Sequence, residues 1–162
     1  MSAPDPHDLD RVWKLMEKIG VCMFTSKDGD RLRARPMGAK PRKDRHVIYF
    51  LTDERGHKDE QVEQDNHVCL SFAEPGGGKF LAVSGRARVT NDRELIRELW
   101  DAAAEAWWSS VDDPLVRVIE VTPEDAQFWE GPHGIVATFA MVVAAATSAP
   151  PLMGDQRKVD MQ

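Results

Sequence analysis

The sequence predicts a mainly β fold, a small antiparallel barrel, closed or partly closed, with helices at its periphery. Three observations carry this: short apolar and β-branched runs recur along the chain, clusters of Gly, Pro and Asp separate them, and helical periodicity is confined to a few stretches. At 162 residues the chain has the length of one domain with one core. Residues 1–149 are expected to form that domain. Residues 150–162, with two prolines and scattered charges, are expected to be a flexible tail.

Leu9, Val12, Trp13, Met16 and Ile19 recur at helical spacing behind Asp8, a candidate N-cap, and Gly20 stands where the helix should stop. Val21 to Thr25 reads as a strand, and Asp28-Gly29 supplies the positive φ of a tight hairpin before a second strand, Leu32 to Ala39. After a charged connector, Val47-Ile48-Tyr49-Phe50-Leu51-Thr52 is the strongest strand signal in the chain. Lys58 to Asp65 is polar around Val62 and suggests a short surface helix. Val68 to Phe72 and Phe80 to Thr90 are strands joined by Glu74-Pro75-Gly76-Gly77-Gly78, whose glycines are too costly in backbone entropy for a regular element. Asn91 or Asp92 caps a helix through Leu95, Ile96, Leu99 and Trp100, which Ala102 to Trp108 continues or replaces. Leu115 to Val121 is a sixth strand, and Thr122-Pro123-Glu124 reads as an N-cap with Pro at the first helical position.

Composition excludes several classes. The apolar fraction of 42% and charged fraction of 30% belong to an ordinary globule rather than a disordered or fibrous chain. A net charge of −6 favours solubility and argues against a chain that coats nucleic acid or an anionic membrane. Cys22 and Cys69 each sit inside an apolar run, as core residues do, and offer no disulfide framework. The first residues carry neither a basic nor an apolar signal region, so the expected compartment is the cytoplasm. Ile135 to Ala149, mostly Ala and Val, falls short of the roughly 20 residues that span a bilayer.

A basic cluster is the chemical signal. Arg33 and Arg35 lie on the second strand, Thr52 ends the third, and Arg55-Gly56-His57-Lys58 opens the helix expected after it. His57 and Lys58 would then stand at a helix N-terminus, where free N–H groups and the dipole favour an anion. An arginine from the neighbouring strand could complete a bidentate clamp, and Thr52 could add a hydroxyl. Solvated surface charge is the competing reading. Pro36 implies an edge or irregular strand whose unpaired backbone can meet a ligand.

The blocks RLRARPMG, VIYFLTD, GHKDEQVEQDNHVCLSFAEP and KFLAVSGRARVTND, followed by ELWDAAAEAWW and VIEVTPEDAQFWEGPHG, resemble in order and spacing the pyridoxamine 5'-phosphate oxidase-like superfamily, in its general stress protein branch. The resemblance covers residues 8 to 147. It implies a six-stranded antiparallel split β-barrel with peripheral helices, a homodimer with FMN at its interface, and flavin-dependent oxidoreductase chemistry. It further implies that Arg35, Pro36 and Met37 line the flavin, that Leu51 and Thr52 lie beside the ribityl chain and phosphate, and that His57 and Lys58 grip the phosphate. Histidine at 57 replaces the commoner arginine and would make that grip pH-dependent. Phe80 stands where vitamin-synthesising members carry a glutamine that meets the flavin from the partner subunit. Trp129 matches a tryptophan that reaches across the dimer.

GPHGIVATFAM offers His133 and no arginine where those members hold substrate phosphate and pyridine. Each charge-assisted bond so lost is worth about 1.5–3 kcal/mol, so pyridoxamine phosphate oxidation is not expected. The alternatives are a stress protein that binds or sequesters flavin without turnover, or one that binds FAD, a deazaflavin or haem. No side chain stands out as a catalytic acid or base. The Trp107-Trp108 pair reads as packing or interface before cofactor lid. His67-Val68-Cys69 has no matching partner pair, so no metal is expected. The triple glycine lacks the strand-to-helix context of a nucleotide loop.

Overall fold

The computed structural model describes residues 5–56, 62–131, 146 and 155–162. The first helix, α1 (Pro6–Ile19), begins at Asp5 rather than at Asp8. Asp5 Oδ1 accepts from the backbone N–H of His7 at 2.9 Å, and Pro6 occupies the first turn, where a missing N–H costs nothing. Gly20 ends the helix at φ 74°, its N–H donating to the Met16 carbonyl at 3.0 Å. Val12, Trp13, Leu15 and Met16 face the barrel core.

Among the described residues eight strands follow, two more than the sequence predicts. β1 (Val21–Asp28) and β2 (Arg31–Gly38) form the hairpin expected at Gly29, which adopts φ 64°. β3 (Lys40–Arg42) pairs with β4 (Val47–Asp53). β5 (His67–Glu74), β6 (Lys79–Thr90) and β7 (Val116–Glu130) are each longer than the sequence reading, and β8 (Asp155–Asp160) pairs with β7. The sheet runs β2-β1-β5-β6-β7-β4-β3, antiparallel in every pair. Its ends curl toward each other without closing, which is a split barrel. β2 is an edge strand, so Pro36 sits where a missing N–H is tolerated.

Two expectations fail at β7 and beyond. Thr122-Pro123-Glu124 lies inside β7 and starts no helix. β4 pairs with β7 up to Val121 and β8 takes over from Asp125, so Pro123 falls where the strand changes partners. On the other edge the register skips Glu124, a bulge opposite Ser84 and Gly85. A Cβ on Gly85 would lie 2.4 Å from the Thr122 carbonyl oxygen, so the backbones meet at a distance only glycine allows. The tail expected to be flexible instead carries β8, with Val159 and Met161 buried in the core. The gain is the apolar area these two residues cover and the edge of β7 that β8 satisfies.

The main core fills the barrel around Phe24, Phe50, Phe72 and Phe128, with the first two rings edge to face at 5.2 Å. β4 is buried on both faces: Ile48, Phe50 and Thr52 point inward, while Val47 and Tyr49 meet a second cluster. That cluster is covered by α2 (Arg93–Leu99), capped by Asp92 as one of the two sequence candidates, through Leu95, Ile96 and Leu99. A separate helix, α3 (Ala102–Trp107), follows an extended Trp100 and is capped by Asp101. Cys22 is buried, and burial pushes its thiol up to about 12. Cys69 is only half-buried, because its register with Thr25 and Ser84 places it on the outer face of the sheet. Residues 62–64 are helical with Val62 buried; the rest of the helix expected from Lys58 lies outside the described residues. No described helix is long and apolar enough to cross a membrane.

Candidate cofactor site

β2, the end of β4 and α3 enclose an open cavity of about 530 Å³. Pro36, Met37 and Gly38 form one wall, Ala103, Ala104, Trp107 and Trp108 another, and Leu51 and Thr52 lie between them. The size falls within the range of small-molecule and cofactor sites. Four residues named from the sequence, Pro36, Met37, Leu51 and Thr52, therefore meet in one place.

Thr52 is the chemically informative member. Only 1% exposed, its hydroxyl has no hydrogen-bond partner among the described residues. A buried hydroxyl left unpaired costs about 1–3 kcal/mol, and a residue that carries one beside a cavity is suited to a polar ligand. It stands there because β4 alternates strictly, with Ile48, Phe50 and Thr52 on the inner face.

Arg35 lies on β2 but is not among the residues that line the cavity. Its Nη1 donates to Ser26 Oγ at 2.9 Å, and the guanidinium stands 5.9 Å from the centre of the Phe24 ring. Partial burial pulls its pKa down, with Asp28 acting in opposition, yet a guanidinium stays charged. A half-desolvated cation of this kind gains from an incoming anion. Arg33 is turned to solvent and pairs with Asp28 at 3.1 Å.

Asp53, next along β4, organises the surroundings. Oδ2 accepts from Trp108 Nε1 at 2.7 Å, and Oδ1 accepts from the Arg55 backbone N–H at 2.9 Å. Arg55 also bridges to Asp113 at 3.2 Å, and its guanidinium helps hold the Asp113 carboxyl below the usual range, behind the Leu115 N–H. Arg93 donates to the carbonyls of Val111, Asp113 and Val116, fixing the loop after α3. At the other end of α3, Asp101 caps the Ala104 N–H through Oδ1 and pairs with Lys40 through Oδ2. The Lys40 hydrogen bond is the main reason the Asp101 carboxyl titrates low.

His57, Lys58 and His133 lie outside the described residues. Phe80 and Trp129 do not line this cavity. They are direct cross-strand partners at the far end of β6 and β7, with Phe80 43% exposed. The sequence reading missed Gly38, Lys40, Asp53 and Asp101, and it weighed Trp107 and Trp108 first as packing. Trp108 does pack, against Trp100 at 6.2 Å, whereas Trp107 stands at the cavity rim. An Asp that ends a strand, followed far along the chain by a paired tryptophan, was the available signal, but only the fold brings the two together.

A barrel split between β2 and β3, with its cavity against the edge strand, defines the class of split β-barrels. The chain matches the pyridoxamine 5'-phosphate oxidase like family over residues 7–151 and belongs to it. It is similar to General stress protein 26 of Bacillus subtilis, 33% identical over 82 residues, covering 49% of this chain and 59% of that protein. The chain spans about three fifths of the length of the curated relatives it matches. Among solved structures, a general stress family protein of Xanthomonas campestris pv. campestris aligns with a TM-score of 0.70 at 26% identity, covering 83% of this chain and 94% of that one. The general stress FMN/FAD binding protein of Xanthomonas citri shares the fold, with a TM-score of 0.69 at 23% identity over 78% of this chain and 90% of that one.

Proposed function

We propose that this chain is a flavin-binding stress protein that holds FMN in the cavity between β2, β4 and α3, as a homodimer. The observation that carries the reading is the unpaired, buried hydroxyl of Thr52, a residue that lines the cavity. Thr52, Arg35, His57 and Lys58 would hold the phosphate end. Leu51 would border the ribityl chain, and Pro36 and Met37 the ring edge. The fold neighbour described as FMN/FAD binding supports a flavin over other ligands. Bound FMN would supply hydride transfer at its N5 atom.

The homodimer is supported by the outer face of the sheet. Met23, Ser71, Ala82 and Gln127 align in one row across β1, β5, β6 and β7, uncharged and wholly or partly exposed. Phe80 and Trp129 sit beside this row and would reach the partner's cofactor. The two free cysteines fit a reducing compartment, the cytoplasm.

A second reading, flavin binding without turnover, is favoured by one observation. The ionisable groups lining the cavity, Lys40, Asp53 and Asp101, are all engaged in internal pairs, so none stands ready as an acid or base. Reduction of the flavin by NADH or NADPH separates the two readings. The cofactor claim is tested by adding FMN and riboflavin to the purified protein and to Lys58→Ala. The variant should lose far more affinity for FMN than for riboflavin. A protein that binds neither flavin sinks the proposal, and equal loss for both removes Lys58 from the phosphate end. Mass spectrometry of the molecule released on denaturation identifies FMN against FAD, a deazaflavin or haem.

A further inference from the structure

We infer that Trp107 is the stacking partner of the isoalloxazine ring, so that α3 is the wall that recognises the flat face of the cofactor; this rests on the flavin reading above. Trp107 is 81% exposed, the most exposed large apolar side chain among the described residues, yet it lines the cavity. Its exposure does not come from a loose helix. α3 is tied at its start by the Asp101 cap and the Lys40–Asp101 ion pair, and just past its end by the 2.7 Å bond from Trp108 to Asp53. The backbone that carries the indole is thus set before a ligand arrives, which lowers the cost of binding.

The neighbouring residues leave room for a flat ring. A helical side chain lies over the residue four positions earlier, which for Trp107 is Ala103, also on the cavity wall. Across the gap stand Pro36, Met37 and Gly38, where a Cβ on Gly38 would meet nothing within 4 Å. A slot with Pro36, Met37 and Gly38 on one side and an indole on the other suits a planar, electron-poor heteroaromatic ring better than a sugar or phosphate. In the flavin reading above, phosphate recognition falls to Thr52 and Arg35 instead. Ring and phosphate are therefore read by separate residues that can be removed separately.

The test titrates FMN and riboflavin into the full-length wild-type protein, Trp107→Phe and Trp107→Ala, following affinity by calorimetry and the fluorescence of the bound flavin. Aromatic stacking on a nucleobase supports an expected loss of about tenfold in Trp107→Ala, the same for both flavins because the ring is common to them. Trp107→Phe should retain most of the affinity. Indole is electron-rich and quenches an excited flavin in contact with it, so bound flavin should brighten in both variants. Because the side chain is exposed, the ligand-free melting temperature should stay close to that of the wild type. Unchanged flavin affinity and unchanged brightness in Trp107→Ala overturn the inference while leaving the flavin reading intact. A loss for FMN alone assigns Trp107 to the phosphate end and also overturns it. If the wild type binds neither flavin, both readings fall.

Discussion

Replacing Thr52 by valine should make the ligand-free protein more stable and the flavin complex weaker. Valine has nearly the shape of threonine and suits a strand as well, so β4 keeps its register and its packing on Phe50 and Ile48. What disappears is a hydroxyl that is 1% exposed and unpaired among the described residues. Relief of that desolvation is worth about 1–2 kcal/mol, which in a chain of this length raises the melting temperature by about 2–8 °C. A hydroxyl that donates to a phosphate oxygen contributes about 1.5–3 kcal/mol, so FMN affinity should fall by roughly tenfold to a hundredfold. The two effects have opposite signs, and a single substitution reads both. Thermal melts without ligand and with a fixed excess of FMN provide the assay, since ligand that binds only the folded state raises the midpoint in proportion to its affinity. A variant that melts lower than wild type without ligand, and binds FMN as tightly, would show that the hydroxyl serves the fold and refute the argument.

Gly85→Ala should lower the melting temperature by about 4–12 °C, the equivalent of roughly 2–3 kcal/mol, because the new Cβ meets backbone atoms of Thr122 and Pro123 that cannot swing aside; an unshifted melt would mean that the bulge yields. In acid, Asp65, Asp101 and Asp113 all titrate below the ordinary 3.8, Asp65 near 2 because its carboxylate accepts from the backbone and ring of His67. A depressed folded-state pKa gives stability that is complete above the unfolded value and is lost as the pH falls through the folded one. Their contribution should hold from pH 7 to about 4 and fade toward pH 2, and Asp101→Asn should flatten that part of a melting-temperature profile; a profile whose acid limb the substitution leaves unchanged would remove the Lys40 pair from the account.

Much of the scaffold could be read without coordinates because its signals are local. Asp28-Gly29 dictates its own hairpin, and Val47 to Thr52 could hardly be anything but a strand. Thr122-Pro123-Glu124 misled because proline behind threonine is a true helix-start signal over three residues. Only the change of partner from β4 to β8, a fact about residues 48 and 160, makes it a strand corner. β8 was hidden for a similar reason: Asp155 to Asp160 has a single β-branched residue, Val159, and becomes a strand because an edge of β7 is waiting for it. At the site, Thr52 and Pro36 were legible from their places on two strands, while Met37 and Leu51 came from the family resemblance alone. Asp53, Lys40 and Asp101 act through α3, whose position depends on packing that no sequence window contains.

The shared edge of β7 also bears on how the molecule comes to exist on the ribosome. β4 is made early and can take its half of that edge as soon as Val121 emerges, but the half from Asp125 to Glu130 stays unpaired until synthesis reaches Asp160. For that interval the nascent chain carries an open, sticky rail, the kind of edge through which chains aggregate. Pro123 and the bulge sit at the head of this rail, and exposed Asp125 begins it. The corner at which β7 changes partners thus also serves as a guard during assembly, keeping the vacant edge short and charged until β8 closes it.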